Sequence, residues 1–443
     1  MSAASARHYM TAAAPRTPEL HLIAADGARH VFVANGSRLF EIDEDLFAGL
    51  DQAIAGEGRV VLPELLSKAG LAGPAAIDDT PLSSPTVHAL SLAVAQKCNL
   101  GCSYCYAQQG EFGGRPKDMP LATALAAVGM LTDGAPEGAR LNLAFMGGEP
   151  LTNRAVLRAA TLHAEQRGKS RNQTVTFSIT TNGTLVEEED AVFFEEHGFA
   201  VSVSLDGTRQ SHDALRPYRN GRGSFDAILR RIAPLLAAQE RMQVSARVTV
   251  TPRNLDLRET LDSLLALGFH SVGFSPMLAS PTGRDEMAAA DLELMLGEMI
   301  DCGREFERRV AMGERYAFAN MVSAMREIGR GTHRPYPCGA GAGYLGVSAE
   351  GDLSACHRFV GDEAGAMGSL SGGIDAERRA QWLAERHVHL QDPCRSCWAR
   401  YLCGGGCHHE VIRRGRPACD YIRGWLQYCI EAYLRLPAGA GLS

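Results

Sequence analysis

The sequence predicts an α/β protein whose centre is a partial (β/α)6 TIM-like barrel. Six strand patterns alternate with helix patterns downstream of Val87, as expected for a parallel sheet flanked by helices. Ahead of them, short strands followed by small helices predict a winged-helix-like domain. Seven cysteines between Cys338 and Cys419 predict a third, cysteine-rich domain. A chain of 443 residues is long enough for two or three such domains.

The N-terminal part is predicted in two pieces, a disordered segment at residues 1–18 and a folded domain at residues 19–80. The first is small and polar. In the second, apolar patterns between Leu20 and Ile42 predict two or three strands joined by glycine turns. Asp43 can cap a first helix, and residues 62–69 predict a second one. This pattern is compatible with a recognition domain and equally with a packing extension, because it holds no reactive group.

The barrel is predicted at residues 86–282, after a Pro- and Ser-rich link. The predicted strands cover residues 89–95, 141–146, 174–181, 200–205, 243–250 and 271–275. The predicted helices cover residues 120–131, 154–166, 187–197, 224–238 and 257–267. In barrels of this kind the active site lies at the carboxyl ends of the strands.

A loop directly after the first of these strands carries Cys98, Cys102 and Cys105. Three thiolates so spaced can bind three irons of a 4Fe–4S cube and leave the fourth iron for another ligand. A zinc knuckle is the alternative, but zinc needs a fourth Cys or His nearby, and none follows before His163. The position at the mouth of the predicted barrel favours the reactive cluster.

Glycines and small polar residues follow the later strands of the barrel. They include Gly147, Gly148, Glu149, Thr180, Asn182, Ser204, Asp206 and, further on, Arg216. The glycines allow a ligand to approach the backbone closely, and the carboxylates can accept hydrogen bonds from an ammonium group. Each group alone is compatible with an ordinary turn. Together, at successive strand ends, they predict a polar pocket that faces the cysteine loop.

The last third of the chain divides into residues 283–332, a predicted helical linker with a methionine-rich core face, and residues 333–443. The second part holds Cys338, Cys356, then Cys394, Cys397, Cys403 and Cys407 in the order C-x2-C-x5-C-x3-C, and Cys419. A single zinc site uses four ligands and would leave three cysteines over. Two metal clusters therefore account better for the count.

Composition limits the partners. With 44 basic and 51 acidic side chains the net charge is −7, which argues against a nucleic-acid partner. No apolar run reaches membrane-spanning length and the N-terminus lacks the order of a signal peptide, so we expect a cytoplasmic protein without a membrane partner. In a reducing compartment the 12 cysteines indicate metal rather than disulfides. Only Cys302 and Cys429 stand outside the spaced groups.

The three-cysteine loop with Tyr104, the Gly-Gly-Glu-Pro stretch and the partial barrel resemble the radical S-adenosylmethionine (SAM) superfamily. The spacing Cys338-x12-Gly351-x4-Cys356, followed by the later cysteines, resembles the SPASM extension. That extension holds two auxiliary iron–sulfur clusters in radical enzymes that modify peptides. The N-terminal module resembles the small peptide-recognition domain that precedes many of these maturases. The resemblance implies three 4Fe–4S clusters, SAM, a small Cys-containing substrate polypeptide, and an electron donor such as flavodoxin or ferredoxin.

The resemblance also implies residue roles. An electron from the first cluster cleaves the SAM sulfonium, and the 5′-deoxyadenosyl radical takes hydrogen from a substrate carbon. The implied SAM contacts are Gly148 and Glu149 at the methionine ammonium, Arg216 at its carboxylate, Tyr104 and Leu278 at the adenine, and Ser204 near the ribose. The implied auxiliary ligands are Cys338, Cys356 and Cys407 for the inner cluster, and Cys394, Cys397, Cys403 and Cys419 for the outer one.

A closer resemblance lies in the stretches Cys338-Gly-Ala-Gly, with Tyr344-Leu345, and Cys356-His-Arg-Phe-Val-Gly-Asp-Glu. Similar segments occur in maturases that form thioether crosslinks. One group matures six-cysteine peptides, and another crosslinks Cys to Asp or Glu in the small γ subunit of quinohemoprotein amine dehydrogenase. The Ala- and Arg-rich composition favours the second group. Sulfatase maturases carry Asp directly after the cysteine equivalent to Cys356, where this chain has His357, so sulfatase maturation is disfavoured.

The expected reaction is thioether formation on a partner polypeptide. In sulfatase maturases the auxiliary cluster nearer the barrel has a fourth cysteine between the equivalents of Cys338 and Cys356, and this chain has none there. The resemblance therefore implies an inner cluster with three ligands, which can bind the substrate thiolate unless Cys429 completes it. Asp206 is the first candidate for proton transfer and His357 the second. Asp206 is also compatible with a turn-stabilising role. Carbon–carbon crosslinking, epimerisation, and a non-enzymatic iron–sulfur scaffold or redox sensor are the alternatives.

Overall fold

The computed structural model describes residues 2–56, 61–76 and 80–437. The chain forms two compact units. The first comprises Met1–Pro81, Ala288–Cys338 and Ala384–Ser443, and the second Leu82–Met287 and Gly339–Leu383. The predicted linker at 283–332 and most of the predicted cysteine-rich domain at 333–443 therefore do not form units of their own.

The helices and strands follow the predicted order closely. The helices are α1 Ser2–Ala12, α2 Glu44–Ala55, α3 Leu62–Lys68, α4 Leu121–Asp133, α5 Arg154–Ser170, α6 Glu188–Glu196, α7 Arg209–Leu215, α8 Phe225–Ala237, α9 Leu257–Ala266, α10 Ala289–Ala311, α11 Ala319–Gly329, α12 Ala376–Arg386, α13 Arg400–Cys403, α14 His408–Arg414 and α15 Cys419–Arg435. The strands are β1 Leu20–Ala25, β2 Ala28–Val33, β3 Arg38–Ile42, β4 Ala89–Gln96, β5 Lys117–Asp118, β6 Arg140–Gly147, β7 Thr174–Thr181, β8 Ala200–Ser204, β9 Gln243–Val250, β10 Ser271–Pro276, β11 Tyr344–Val347, β12 Asp352–Ser354, β13 Ala366–Ser369 and β14 Gly373–Ile374. None of the described helices has the length and apolar character needed to cross a membrane.

The N-terminal module has three strands and two helices, as predicted. Strands β1, β2 and β3 form an antiparallel sheet in that order. Asp43 caps α2, since its carboxylate accepts the Leu46 N–H at 2.7 Å. Apolar side chains from the sheet and both helices, including Leu20, Leu50 and Leu66, share one core.

The prediction of disorder at residues 1–18 is wrong, because Ser2–Ala12 is a packed helix. Its small residue Ala6 is fully buried, and so is Ala13 in the turn that follows the helix. Gly424 of α15 leaves room for the helix, since a Cβ at that position would lie 3.3 Å from Met10 Cγ. Small side chains that suggest a disordered tail thus permit close contact between helices.

The second unit is built on one large sheet with the strand order β10-β9-β8-β7-β6-β4-β11-β12-β13-β14, and β5 pairs with β4. The six predicted barrel strands are parallel to their neighbours. Strand β11 adds to the free side of β4, also in parallel, and the last three strands are antiparallel. Because the six strands run the same way, their carboxyl ends lie at one edge of the sheet.

The helices of residues 283–332 confirm the predicted core face. Leu292, Met295, Leu296 and Met299 of α10 are all buried. The methionine stripe therefore packs a core, as helical spacing of apolar residues usually does.

Candidate active site

The three-cysteine loop begins two residues after β4 and is held by main-chain hydrogen bonds. The Gly101 N–H donates to the Pro217 carbonyl at 2.8 Å, and the Ser103 N–H donates to the Leu215 carbonyl at 3.1 Å. The segment after α7 thus supports the loop from behind. Close support of this kind positions side chains more reproducibly than a loose loop does.

The thiols of this loop lie within electrostatic range of one another. Burial raises the pKa of Cys102 to about 12, Arg216 opposes this rise, and the neighbouring Cys105 and Cys98 add to it. The Cys98 sulfur accepts the Leu100 N–H at 3.5 Å and lies 3.6 Å from the Asn182 amide nitrogen. Such donors favour a thiolate, and a bound metal ion deprotonates a coordinating thiol outright.

The two glycines after β6 position the cysteine loop itself. A Cβ on Gly147 would lie 2.2 Å from the Ala95 carbonyl oxygen, and one on Gly148 would lie 2.2 Å from that of Lys97. In addition, the Glu149 N–H donates to the Lys97 carbonyl at 2.9 Å. On the side where a Cβ would stand, both glycines are met by the backbone at and just after the end of β4. Their predicted contact with a ligand stays a prediction.

Glu149 is fully buried and joins the ends of β6 and β7. Its carboxylate accepts hydrogen bonds from the Leu151 N–H at 3.0 Å, the Thr181 hydroxyl at 2.8 Å and the Asn182 N–H at 2.7 Å. Burial raises its pKa, and these donors oppose the rise. The Asn182 side chain extends the network by donating to Asn99 Oδ1 at 2.9 Å, inside the cysteine loop. Glu149 and Asn182 therefore tie β6 and β7 to the loop.

Tyr104, Asp206 and Arg216 form a second buried network beside the thiols. The Tyr104 hydroxyl donates to the Asp206 carboxylate, and Arg216 Nη1 donates to the Tyr104 hydroxyl oxygen at 2.6 Å. The other Asp206 oxygen accepts the Thr249 N–H at 2.9 Å. Burial raises the pKa of Asp206, and Arg216 opposes that rise. Each oxygen of this carboxylate accepts an internal hydrogen bond, which favours a positioning role for Asp206, and its part in proton transfer stays a prediction.

One N–H donor of Arg216, on Nε, is buried and has no hydrogen-bond partner among the described residues. We call it the reserve donor. A buried guanidinium N–H without an acceptor is costly, so it suits an anionic ligand that enters beside it. The methionine carboxylate predicted there fits this requirement.

The remaining predicted SAM contacts lie where expected. Ser204 ends β8 and is half-buried, Thr180 lies near the end of β7 and is half-buried, and Leu278 is buried two residues beyond β10. Their contacts with SAM stay predictions.

His357 and Cys356 lie in the second unit, near the residue that follows the cysteine loop. The His357 ring meets Tyr106 edge-on at 5.8 Å and is hydrogen-bonded through Nδ1 to the Tyr344 hydroxyl at 2.7 Å. Burial raises the pKa of Tyr106, and both Cys105 and Cys356 contribute further to the rise. Tyr106 therefore lies between the two cysteine segments. Sequence reasoning gave Tyr106 no role, although an aromatic residue directly after the last loop cysteine was a usable signal.

The predicted outer set of four cysteines is brought together in the first unit. Burial raises the pKa of Cys394 to about 12, Arg416 opposes the rise, and Cys403, Cys419 and Cys397 all add to it. Burial raises the pKa of Cys403, and the nearby N–H groups of Gly405 and Gly406 oppose the rise. Four convergent thiols with main-chain donors have the character of a cluster site.

The predicted inner set is divided between the units. Cys338 and Cys407 are in the first unit and Cys356 is in the second, so their joint role stays a prediction. Cys429, the alternative inner ligand, is fully buried in α15 with its sulfur 3.9 Å from Met321 Sδ. Burial raises its pKa, which is typical of a structural thiol rather than a ligand.

None of the 12 cysteines, all of which lie in the described ranges, forms a disulfide. Across the described ranges, no three Cys, His, Asp or Glu side chains lie closely enough to chelate a single metal ion. An iron–sulfur cluster accepts a wider arrangement, because each thiolate binds its own iron. The three loop thiols, their hydrogen-bond donors and the reserve donor of Arg216 therefore fit a cluster with a bound anionic ligand.

In a comparison with known protein families, the sequence model of the Radical SAM superfamily matches residues 92–264. This segment runs from β4 into α9 and contains the cysteine loop, Glu149, Asp206 and Arg216. The match implies a 4Fe–4S cluster and SAM.

Individual proteins show the same relationship over a longer range. The chain is 27% identical over 356 residues to a serine-type anaerobic sulfatase-maturating enzyme of Klebsiella aerogenes, covering 77% of this chain and 85% of that protein. The structure resembles native anSMEcpe with bound AdoMet, at a TM-score of 0.65 and 17% identity, over 78% of this chain and 97% of that one. It also resembles Streptococcus suis SuiB bound to its precursor peptide SuiA, at a TM-score of 0.52 and 13% identity, over 90% and 97% of the two chains. At these identities the structural likeness establishes the fold alone.

Proposed function

We propose that this chain is a radical SAM enzyme that modifies a peptide or protein, and that the modification is a thioether crosslink between a cysteine sulfur and a carbon of another residue. One observation carries the first part of the proposal: three coupled thiols lie at the end of β4, beside a buried arginine with an unpaired donor. When bound, the cluster and SAM supply a 5′-deoxyadenosyl radical that removes hydrogen from a substrate carbon.

The residues around the loop orient the cofactor and exclude water. Arg216 binds the methionine carboxylate through its reserve Nε and remains tied to Tyr104. Tyr104 is itself buried, in an apolar group with Leu215 and Met277. The site is thereby kept dry, which strengthens the electrostatic interactions inside it and protects a reactive intermediate.

The thioether assignment depends on the auxiliary cysteines. Cys338, Cys356 and Cys407 are proposed to hold an inner cluster that binds the substrate thiolate at its remaining iron, with Cys394, Cys397, Cys403 and Cys419 holding an outer one. The position of Cys429 in an apolar helix core supports a three-cysteine inner set. His357, directly after Cys356 and against Tyr106, is then the better candidate for proton transfer.

The proposed substrate is a small Cys-containing polypeptide, and the γ subunit of quinohemoprotein amine dehydrogenase is the first candidate. The likeness to SuiB, whose structure holds the precursor peptide SuiA, supports a peptide partner. We propose that the N-terminal module recognises this polypeptide and that a flavodoxin or ferredoxin delivers the electron.

Sulfatase maturation is the second candidate, because the Klebsiella relative with that name spans most of the chain. Against it stands His357, at the position where the sulfatase maturases carry Asp.

The test incubates reduced, cluster-loaded enzyme with SAM and either the γ subunit or a sulfatase-derived peptide. Thioether formation predicts 5′-deoxyadenosine, loss of two hydrogens per crosslink, and a cysteine that no longer reacts with alkylating agents. Modification of the sulfatase peptide alone would select the second candidate. Epimerisation leaves the mass unchanged, and carbon–carbon crosslinking leaves the cysteine reactive. A protein that makes no 5′-deoxyadenosine under these conditions is a scaffold or sensor.

A further inference from the structure

The first unit contains a cavity of about 390 Å³ that the chemistry above does not use. It is formed by the N-terminal module together with one residue of the C-terminal cysteine segment. Leu62, Leu66 and Leu71 supply an apolar wall, and Arg38 and Arg400 line the same cavity. A mostly apolar cavity with a few placed polar groups is the usual form of a ligand site.

The two arginines keep their charge available. Arg38 donates from Nε to the Asn35 carbonyl at 3.1 Å and from Nη2 to the Leu71 carbonyl at 3.0 Å. Arg400 Nη1 donates to the carbonyls of Pro18 and Cys397. Within the described ranges, neither guanidinium has a carboxylate within ion-pair distance. Carbonyl groups fix the two side chains in place without neutralising them.

The surroundings of the two arginines are electropositive. His333 stacks on Tyr401 at 3.9 Å, and both of its ring nitrogens are buried without a hydrogen-bond partner. Burial, together with the charges of Arg400 and Arg38, lowers the pKa of His333 to about 4. One carboxylate also lines the cavity, that of Glu19, and it accepts from the Thr17 hydroxyl. The balance of charge therefore favours an anionic group at the arginine end.

We propose that this cavity binds an acidic side chain, Glu or Asp, flanked by apolar residues in a partner polypeptide. Arg38 and Arg400 pair with the carboxylate, and the leucines receive the apolar neighbours. That this polypeptide is the enzyme's substrate rests on the proposed peptide-modifying function. The binding of an acidic side chain in the cavity does not.

Arg400 also links the cavity to the outer cysteine set. It lies between Cys397 and Cys403, and its own N–H donates to the Cys397 carbonyl at 3.3 Å. The neighbouring Trp398 is anchored in the N-terminal module, because its indole N–H donates to the Ala13 carbonyl at 3.0 Å and its ring stacks on His21 at 4.2 Å. A polypeptide that holds Arg400 therefore restrains the segment carrying Cys397 and Cys403.

The experiment measures binding of fluorescent octapeptide pools to the full chain, without SAM or reductant. One pool has a central Glu among randomised apolar residues, and the other has Gln at that position. Wild-type protein is expected to bind the Glu pool about tenfold more tightly, since a charge-assisted pair is worth over 1 kcal/mol. Arg38→Gln and Arg400→Gln should remove this preference, and Arg400→Lys should retain most of it. Arg395→Gln, an exposed residue of the same segment paired with Asp392, is the matched control.

A second readout follows hydrogen exchange of residues 397–403. The Glu pool should slow exchange there in wild-type protein and in Arg395→Gln, but not in Arg400→Gln. Equal binding of both pools, or a preference that survives both Gln substitutions, would overturn the proposal. Because no radical chemistry is involved, failure of the proposed reaction leaves this result interpretable, and the reverse also holds.

Discussion

The loop at Cys98–Cys105 and the set Cys394, Cys397, Cys403 and Cys419 are both groups of convergent thiols, yet the protein surrounds them differently. The loop has three thiols, and beside them stand two buried networks of charged and polar side chains, around Glu149 and around Arg216. The outer set has four thiols, glycine N–H donors at Cys403, and Arg416 engaged with the Gly405 carbonyl and the Gln391 side chain.

The clearest difference is the number of thiols. The loop offers three, so a cluster bound there would leave one iron for another ligand, and the unpaired Nε of Arg216 is available to an anionic one. The outer set offers four, one for each iron of a cluster, although the buried Nε of Arg423 beside Cys419 also lacks a partner among the described residues. We therefore expect chemistry at the first and structure or electron transfer at the second.

Loss of a loop ligand should have the largest effect. Cys102→Ala is expected to abolish 5′-deoxyadenosine formation, because the cluster then lacks a ligand. Cys397→Ala should leave that cleavage measurable and reduce only product formation. Chromatography of reduced reactions with SAM measures both. If the two variants behave alike, the distinction between the sites is wrong.

A methyl group at Gly148 should have the next largest effect. Its Cβ would lie 2.2 Å from the Lys97 carbonyl oxygen and 2.8 Å from Gly110 Cα, both backbone atoms that cannot turn away. Gly148→Ala is expected to cost about 3 kcal/mol of unfolding free energy and to lower the iron content of the loop. Gly114→Ala is the control, since its nearest neighbour would be at 3.5 Å. Denaturant unfolding and iron analysis test this, and a Gly148→Ala protein as stable as the control would contradict it.

Replacing the Arg216 guanidinium with a lysine ammonium should weaken SAM binding. Arg216→Lys keeps the charge but loses the two-pronged donor, so we expect the SAM dissociation constant to rise about 30-fold. Arg416→Lys, at the outer set, should leave it unchanged. Equilibrium dialysis with labelled SAM provides the measurement. An equal effect from both arginines would show that the reserve donor is not the SAM contact.

The smallest predicted effect is on the pH dependence of the free energy of unfolding. His212 accepts the Asp206 N–H on Nδ1 at 3.2 Å and contacts Ser224 Oγ through Nε2 at 2.9 Å, so it is neutral in the fold. Burial, aided by Arg216, lowers its pKa to about 3. The unfolded chain binds the proton first as the pH falls below about 6.5, so stability present above that pH is lost on acidification.

Between pH 6.5 and pH 5 this loss should amount to about 2 kcal/mol. His212→Gln removes the titrating group and should reduce the pH dependence in urea unfolding by this amount. The remainder comes from other histidines, such as His21 and His333, whose pKa values are lowered to about 4. The exposed His8→Gln is the control. An unchanged slope in His212→Gln would exclude His212 as its source.

Local structure was predictable because periodicity is a local property. The predicted strands at 174–181 and 243–250 have the observed bounds, and Asp43 caps its helix as expected. The cysteine groups could also be identified from the sequence, since the spacing of ligands within one loop depends only on neighbouring residues. Helix α1 was missed because its alanines give no apolar stripe, and its packing depends on Gly424, more than 400 residues away.

By itself, the sequence determined the parallel strands, the cysteine loop at the end of β4, and the identity of the polar residues at neighbouring strand ends. Only the tertiary structure decided what those residues do. It showed that Gly147 and Gly148 permit a close backbone contact, linked Asp206 to Tyr104, and placed Tyr106 near Cys105 and Cys356. The reason is that the chemistry of a buried residue depends on the groups it contacts, and those groups come from distant parts of the chain.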